Sequence, residues 1–130
     1  MEALVGAKRR PKVGRCIIVV EDEPLVRMLL ADHLREAQFE VAEAADADQA
    51  VKLLDELPGV EAVISDVRMP GSMDGVGLAH EIAARWPDVT VILTSGFLGD
   101  DHERLPPCTH FVGKPYQLEQ FTSLLRSSLP

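Results

Sequence analysis

Five short runs of hydrophobic residues divide the chain, and segments with helical periodicity follow most of them. The runs predict buried strands at residues 15–20, 39–44, 60–65, 89–94 and 108–112. Parallel strands need crossover connections, and right-handed crossovers place helices on both faces of a sheet. The alternation therefore predicts an α/β fold, a doubly wound sheet of five parallel strands.

Four segments carry apolar residues at helical spacing. Pro24 suits the first position of a helix. Asp46, with Gln49 three residues later, is typical of a helix N-terminus, and a third helix is expected from about Val76 until Pro87 stops it. The apolar face of the first helix is expected to hold Val26, Leu29, Leu30 and Leu34. The last helix is expected to bury Leu118, Phe121, Leu124 and Leu125.

Two segments depart from this pattern. Residues 1–14 lack hydrophobic periodicity and carry several basic side chains, so we expect a disordered basic leader before one domain at residues 15–130. Between the last two strands, residues 96–107 contain two glycines and end in two prolines, which predicts a poorly formed helix. No stretch approaches the roughly 20 apolar residues of a membrane helix, so we expect a cytoplasmic protein.

The charge of the chain limits its partners. The formal net charge is −8, but the first fifteen residues have a local sum of +4, so the remainder of the chain carries −12. Duplex binding depends on basic side chains that neutralise phosphates, so an acidic domain argues against nucleic acid as the main ligand. It is compatible with a divalent cation.

Polar residues lie where the hydrophobic runs end. They are Glu21-Asp22 after the first run, Asp66 after the third, Thr94 at the end of the fourth and Lys114 after the fifth. The carboxyl ends of parallel strands meet at one edge of a sheet, so we expect these side chains to lie together. Three carboxylates repel one another unless a cation lies among them. The pattern predicts a site that accepts a phosphoryl group. We therefore expect the protein to be a phosphoacceptor and not a turnover enzyme.

Each position also has an ordinary structural interpretation. Glu21 and Asp22 could cap the helix that begins at Pro24. Asp66 could cap a turn, Thr94 could be a strand-end hydroxyl, and Lys114 could be a solvated charge before a proline. These interpretations explain the residues one at a time. They do not explain why the residues coincide at the ends of neighbouring strands.

The motifs around these positions resemble the receiver domain of two-component response regulators. The resemblance covers residues 15–128, and the separations between Asp22, Asp66, Thr94 and Lys114 are 44, 28 and 20 residues. The matching motifs are VVEDEP, ISDVRMP, LTSG and FVGKPY. The resemblance implies a flavodoxin-like sheet with strand order 2-1-3-4-5. Because the chain ends just after the last helix, we expect a stand-alone receiver without an output domain.

The resemblance also implies the chemistry. Asp66 would accept a phosphoryl group from a phosphohistidine on a histidine kinase or a histidine phosphotransfer protein. Mg²⁺ would be bound by Asp22, by Asp66, by the backbone carbonyl of Arg68 and by waters, one of them oriented by Glu21.

Signal output is implied by the same resemblance. Lys114 would pair with a phosphoryl oxygen, and Thr94 would donate a hydrogen bond to another. Phe111 occupies the position of the family's switch aromatic and would turn inward when Thr94 moves. A downstream protein target would bind the face built from the poorly formed helix, the fifth strand and the last helix, or the chain would instead serve as a phosphate shuttle or sink. No nucleic acid or membrane partner is expected, and the chain would be a monomer or a weak dimer.

Three departures from the family pattern leave alternatives open. The GSMDG loop is one residue longer than is usual in the family, and the Arg68 side chain could cover the site or lie in solvent. Ser95-Gly96 resembles the family variants in which the fourth helix is altered or missing. One alternative is a binding module whose interactions ignore phosphorylation. A flavin-binding protein, or a hydrolase with an aspartyl-phosphate intermediate, is disfavoured because Arg68 occupies the position of the hydrolase's second acid.

Overall fold

The computed structural model describes residues 16–96, 105–107 and 109–129, which form five strands and four helices. The strands are β1 (Cys16–Val20), β2 (Glu40–Ala44), β3 (Val60–Asp66), β4 (Thr90–Ser95) and β5 (Thr109–Gly113). The helices are α1 (Pro24–Glu36), α2 (Ala47–Glu56), α3 (Gly75–Arg85) and α4 (Leu118–Ser128). These elements confirm the predicted alternation.

All five strands are parallel and lie in the order β2-β1-β3-β4-β5. The register aligns their carboxyl ends, since Asp66 lies opposite Thr94 and Ser95 lies opposite Gly113. The predicted flavodoxin-like order is confirmed. Its consequence is that the polar residues following β1, β3, β4 and β5 share one edge of the sheet.

Side chains alternate between the two faces of β1, as the period of a strand requires. Ile17 and Val19 pack with α1 and α4, whereas Ile18 and Val20 pack with α2 and α3. Helices therefore cover both faces. The buried residues that α1 and α4 contribute are Leu30, Leu34, Phe121 and Leu125. The buried residues that α2 and α3 contribute include Ala47, Ala50, Leu54, Leu78, Ala79 and Ile82.

Local signals fix where the helices begin. Asp46 caps α2, because its Oδ1 accepts a hydrogen bond from the Gln49 backbone N–H at 2.9 Å, while the Gln49 side chain accepts one from Ala45 N–H at 2.9 Å. Pro24 is the first residue of α1, as predicted. Asp74 caps α3 by accepting a hydrogen bond from Gly77 N–H at 2.9 Å.

The prediction for the buried face of α1 was wrong at one residue. Leu30 and Leu34 are buried, but Leu29 is 53% exposed. The buried stripe of α1 consists of Leu30, Ala31 and Leu34, and Leu29 lies about 100° around the helix from Leu30, on the side away from the stripe. Together with Leu25 and Met28, it forms an exposed apolar surface, which we call the α1 patch.

Two predictions concern parts of the chain outside the described residues. They are the disordered leader at residues 1–14 and most of the poorly formed helix, at residues 97–104. In the described segments, no helix is long and apolar enough to cross a membrane. The expected cytoplasmic location stays a prediction.

Candidate functional site

The predicted site residues do meet at one edge of the sheet. Glu21 and Asp22 follow β1 directly, Asp66 ends β3, Thr94 is the second-last residue of β4, and Lys114 follows β5. Since these strands are neighbours in the order β1-β3-β4-β5, the five side chains are gathered from four adjacent strands. The register thus brings together residues that are far apart in the sequence.

Lys114 and Asp66 form an ion pair within the site. Lys114 Nζ donates a hydrogen bond to Asp66 Oδ2 at 2.8 Å, and the Asp66 side chain is 12% exposed while that of Lys114 is 37% exposed. Burial alone would lower the pKa of the Lys114 ammonium, but the hydrogen bond from Lys114 to Asp66 and the charges of Asp66 and Glu21 raise it overall. Lys114 therefore remains a cation beside the carboxylate.

Glu21 is the buried member of the acid pair. Burial raises the pKa of its carboxyl, the charge of Asp66 and a hydrogen bond with Asp22 raise it further, and the Glu23 amide and Lys114 act in the opposite direction. The Glu21 carboxylate accepts a hydrogen bond from Glu23 N–H at 3.0 Å. Glu23 is the N-cap residue of α1 and makes no side-chain capping bond. The Glu21 carboxylate therefore accepts from the backbone of the N-cap residue, and the side chain of Glu23 adds no cap of its own.

Backbone hydrogen bonds tie the acceptor strand to the strands that carry Thr94 and Lys114. Val67 N–H donates to the carbonyl of Thr94 at 2.8 Å, and Lys114 N–H donates to the carbonyl of Ser95 at 2.9 Å. The Thr94 side chain is buried. The positions of Asp66, Thr94 and Lys114 are thus set by the sheet itself.

The loop after Asp66 returns closely onto the acceptor. Gly75 N–H donates to the carbonyl of Val67 at 2.8 Å, and a Cβ at Gly75 would collide with the carbonyl oxygen of Asp66. Only glycine permits this approach. Gly75 was not predicted to be a site residue, although its place after the loop in an Asp-Gly pair was a usable signal. The Ser72 hydroxyl, 2.9 and 3.0 Å from the two carboxylate oxygens of Asp48, holds the same loop against α2.

Two further side chains at the site were not predicted. Arg27, in the first turn of α1, donates a hydrogen bond to the backbone carbonyl of Glu21 at 2.7 Å. Tyr116 packs edge-on against Phe121 at 4.8 Å between ring centroids. Burial and the charges of Glu21 and Asp66 raise the pKa of the Tyr116 phenol, whereas the charge of Lys114 acts to lower it. Neither the Arg27 hydrogen bond nor the Tyr116 ring contact can be predicted from the polar residues at strand ends.

The predicted residues fit a magnesium site only when backbone and water complete the ligand set. In residues 16–96, 105–107 and 109–129, no three His, Cys, Asp or Glu side chains are arranged to hold a metal by themselves. Mg²⁺ keeps several waters and commonly takes one or two carboxylates. Asp22, Asp66 and the Arg68 carbonyl are the oxygen groups that would serve as such ligands. Burial is the main cause of the raised pKa of Glu21, and the neighbouring charge of Asp66, which a cation would offset, adds to it.

Arg68 and Phe111 have different surroundings. Arg68 is exposed on the loop after the acceptor. Phe111, on β5, is half-buried, packs against the core on the α2 and α3 side, and also lines a groove beside α4. The switch role of Phe111 and the part played by the Arg68 side chain stay predictions.

The family model described as the response regulator receiver domain matches residues 17–126 of this chain. Among curated proteins, the sensor kinase CckA of Brucella abortus is 36% identical over 117 residues, which cover 87% of this chain and 12% of the kinase. The transcriptional regulatory protein PdtaR of Mycobacterium tuberculosis is 45% identical over 84 residues, which cover 64% of this chain and 40% of that protein. The chain thus spans less than half the length of these relatives.

Solved structures agree with this match. The receiver domain of the hybrid histidine kinase CckA has a TM-score of 0.75 and 31% identity, with 88% of this chain and 99% of that chain covered. The response regulator TrrA of Thermotoga maritima, solved in complex with Mg²⁺ and BeF, has a TM-score of 0.76 and 26% identity over 88% of this chain and 99% of that chain. Both have the strand arrangement to which the site residues owe their proximity.

Proposed function

Because this chain belongs to the response regulator receiver domain family of two-component signalling, we propose that it accepts a phosphoryl group on Asp66 from a phosphohistidine donor. The observation that carries the proposal is the contact between Lys114 Nζ and Asp66 Oδ2 at 2.8 Å, next to the acid pair that follows β1. The acceptor is a side chain of the protein itself, so the protein is not a turnover enzyme.

The transfer needs a nucleophile and charge stabilisation. A carboxylate oxygen of Asp66 attacks the phosphorus, the P–N bond breaks, and its electron pair returns to the donor imidazole as an acyl phosphate forms. Lys114 already contacts the Asp66 carboxylate and stabilises negative charge that moves onto the phosphoryl oxygens. The hydroxyl of Thr94, on the neighbouring strand, donates a hydrogen bond to another phosphoryl oxygen.

Magnesium would complete the site. Asp22, Asp66 and the Arg68 carbonyl would hold it directly, and Glu21 would orient one of its waters. When bound, Mg²⁺ neutralises charge on the phosphoryl oxygens. The excess of carboxylates around one ammonium supports this assignment, as does the Mg²⁺ complex of the related regulator TrrA.

A protein donor is supported by the surface beside the site. The α1 patch of Leu25, Met28 and Leu29 begins a few residues after the acid pair, and it exposes large apolar side chains near the sheet edge that holds Asp66. Exposed apolar clusters of this kind mark protein contacts. We propose that a histidine kinase or histidine phosphotransfer protein contacts this patch while it presents its phosphohistidine to Asp66.

Output would follow from the phosphoryl group. Thr94 would move toward it, Phe111 would turn inward, and a downstream protein would read the change on the face formed by β5 and α4. The half-buried position of Phe111, between the core and the groove beside α4, supports this proposal.

The experiment is labelling with acetyl phosphate, which needs no partner protein. We expect Mg²⁺-dependent, acid-labile incorporation of one phosphoryl group, and loss of incorporation in Asp66→Asn. Asp55→Asn is the matched control, because Asp55 pairs with Arg85 at 2.7 Å between α2 and α3 and has no place in the site. Undiminished labelling of Asp66→Asn would overturn the proposal.

The second candidate is a binding module that ignores phosphorylation. The exposed Arg68, two residues after the acceptor, is the observation that favours it, since its long side chain could cover Asp66, and the lengthened loop that follows could be reshaped. Partner affinity separates the two functions. Equal affinity with and without acetyl phosphate favours the binding module, whereas a change that requires Asp66 favours the phosphoacceptor.

A further inference from the structure

Arg27, on α1, contacts both the backbone of the acid pair and a glutamate on β2. Its Nη1 donates a hydrogen bond to the carbonyl of Glu21 at 2.7 Å, and its Nε lies 3.4 Å from Glu43 Oε1 on β2. The Arg27 side chain is only 20% exposed. A charge-assisted bond of this length to a backbone carbonyl fixes a position more firmly than a neutral one.

The turn between β1 and α1 has few other restraints. Glu21 N–H donates to the carbonyl of Ala44 at 3.0 Å, and Glu23 N–H donates to the Glu21 carboxylate. Pro24 has no N–H, and Glu23 makes no side-chain cap. The hydrogen bond from Arg27 is therefore the contact that links the carbonyl side of Glu21 to the helix.

The Arg27 guanidinium also forms an ion pair with Glu43, which has a second basic partner. Glu43 is shared between Arg27 and Arg35, whose Nη2 lies 3.1 Å from Glu43 Oε2 and donates to the carbonyl of Val41 at 3.2 Å. The carboxylate of Glu43 balances the charge of Arg27 near the acid pair. Arg27 thus connects the turn that carries Glu21 and Asp22 to β2, at the edge of the sheet.

We infer that Arg27 is a positioning residue for the magnesium site. By holding the Glu21 carbonyl, Arg27 keeps the carboxylates of Glu21 and Asp22 facing the ion. It does not touch the ion or the phosphoryl group. The inference rests on the proposed magnesium site. Groups that orient metal ligands from outside the ligand set typically change metal affinity by about 10- to 100-fold when they are replaced.

The test compares Arg27→Lys with Arg35→Lys. Both variants keep the charge and disturb one arm of Glu43, but only Arg27 contacts Glu21. Lysine cannot bond the Glu21 carbonyl and Glu43 together, because it lacks the planar fork of arginine. We expect the Mg²⁺ dissociation constant, measured by calorimetry, to rise about tenfold in Arg27→Lys and to stay within about twofold in Arg35→Lys.

A second measurement separates positioning from general loss of stability. In metal-free protein, we expect faster amide hydrogen exchange at Glu23 in Arg27→Lys than in Arg35→Lys, with similar exchange in the buried strands. Wild-type Mg²⁺ affinity in Arg27→Lys, or an equal loss in both variants, would overturn the inference. If the wild-type protein binds no Mg²⁺, the proposed metal site fails, and unchanged exchange at Glu23 would show separately that Arg27 does not hold the turn.

Discussion

At the scale of single residues, the site is defined by one ammonium among three carboxylates. Burial and neighbouring acids raise the pKa of Glu21, and the same acids raise the pKa of Lys114. The carboxylates outnumber the ammonium, so this group of charges is poorly balanced. It is balanced better when a metal ion and a phosphoryl group are both present, which is the state that phosphoryl transfer requires.

Lys114 should contribute chiefly to the transfer step. With Lys114→Met, we expect the initial rate of acyl phosphate formation at saturating Mg²⁺ to fall about 100-fold, because a preorganised charge partner of the phosphoryl oxygens is lost. Rates with acetyl phosphate measure this directly. Lys52→Met, on the exposed face of α2, is the control and should leave the rate unchanged. A normal rate in Lys114→Met would contradict the role assigned to the ammonium.

Gly75 should be indispensable for a different reason. Its Cβ position lies 2.8 Å from Val67 Cα and overlaps the carbonyl of Asp66, so Gly75→Ala must displace backbone. We expect the free energy of unfolding to fall by about 3 kcal/mol, as for other forced overpacking. Denaturant titration measures this. Gly113→Ala, where a Cβ would meet nothing within 4 Å, should be nearly neutral, and equal effects of the two substitutions would contradict the packing described.

At the scale of elements, the strands and helix starts could be predicted because their signals are local. Asp46 caps α2 with its own neighbours, and Pro24 begins α1 because it has no N–H to satisfy. Leu29 was misplaced because helical periodicity does not fix how far a helix is rotated on its sheet. The contact of Arg27 with the Glu21 carbonyl was missed for a related reason, since it depends on the turn that separates β1 from α1.

The exposed face of α1 should matter only when the donor is a protein. We expect Met28→Glu to slow phosphoryl transfer from a phosphohistidine protein at least tenfold and to leave labelling by acetyl phosphate unchanged, because the patch adjoins the site without entering it. Ala84→Glu, on the exposed surface of α3, adds the same charge elsewhere and is the control. Equal loss with both donors would show that Met28 affects the site and not docking.

At the scale of the whole molecule, the order of the strands turns four separate sequence positions into one site. The motifs predicted which residues would meet, because carboxyl ends of adjacent parallel strands share an edge. They could not predict the ion pair between Lys114 and Asp66 or its length, which depend on the register of β3, β4 and β5. Membership in the receiver family favours this interpretation over the flavin-binding and hydrolase alternatives.

The identity of the modified side chain is the most direct test of the proposed chemistry. Borohydride reduces an acyl phosphate of aspartate to homoserine, so the labelled protein can be reduced, digested and sequenced by mass spectrometry. We expect homoserine at position 66 after treatment with acetyl phosphate and Mg²⁺, and aspartate there when Mg²⁺ is chelated. Homoserine at Asp22, or at no position while the label is retained, would contradict the assignment of Asp66 as the phosphoacceptor.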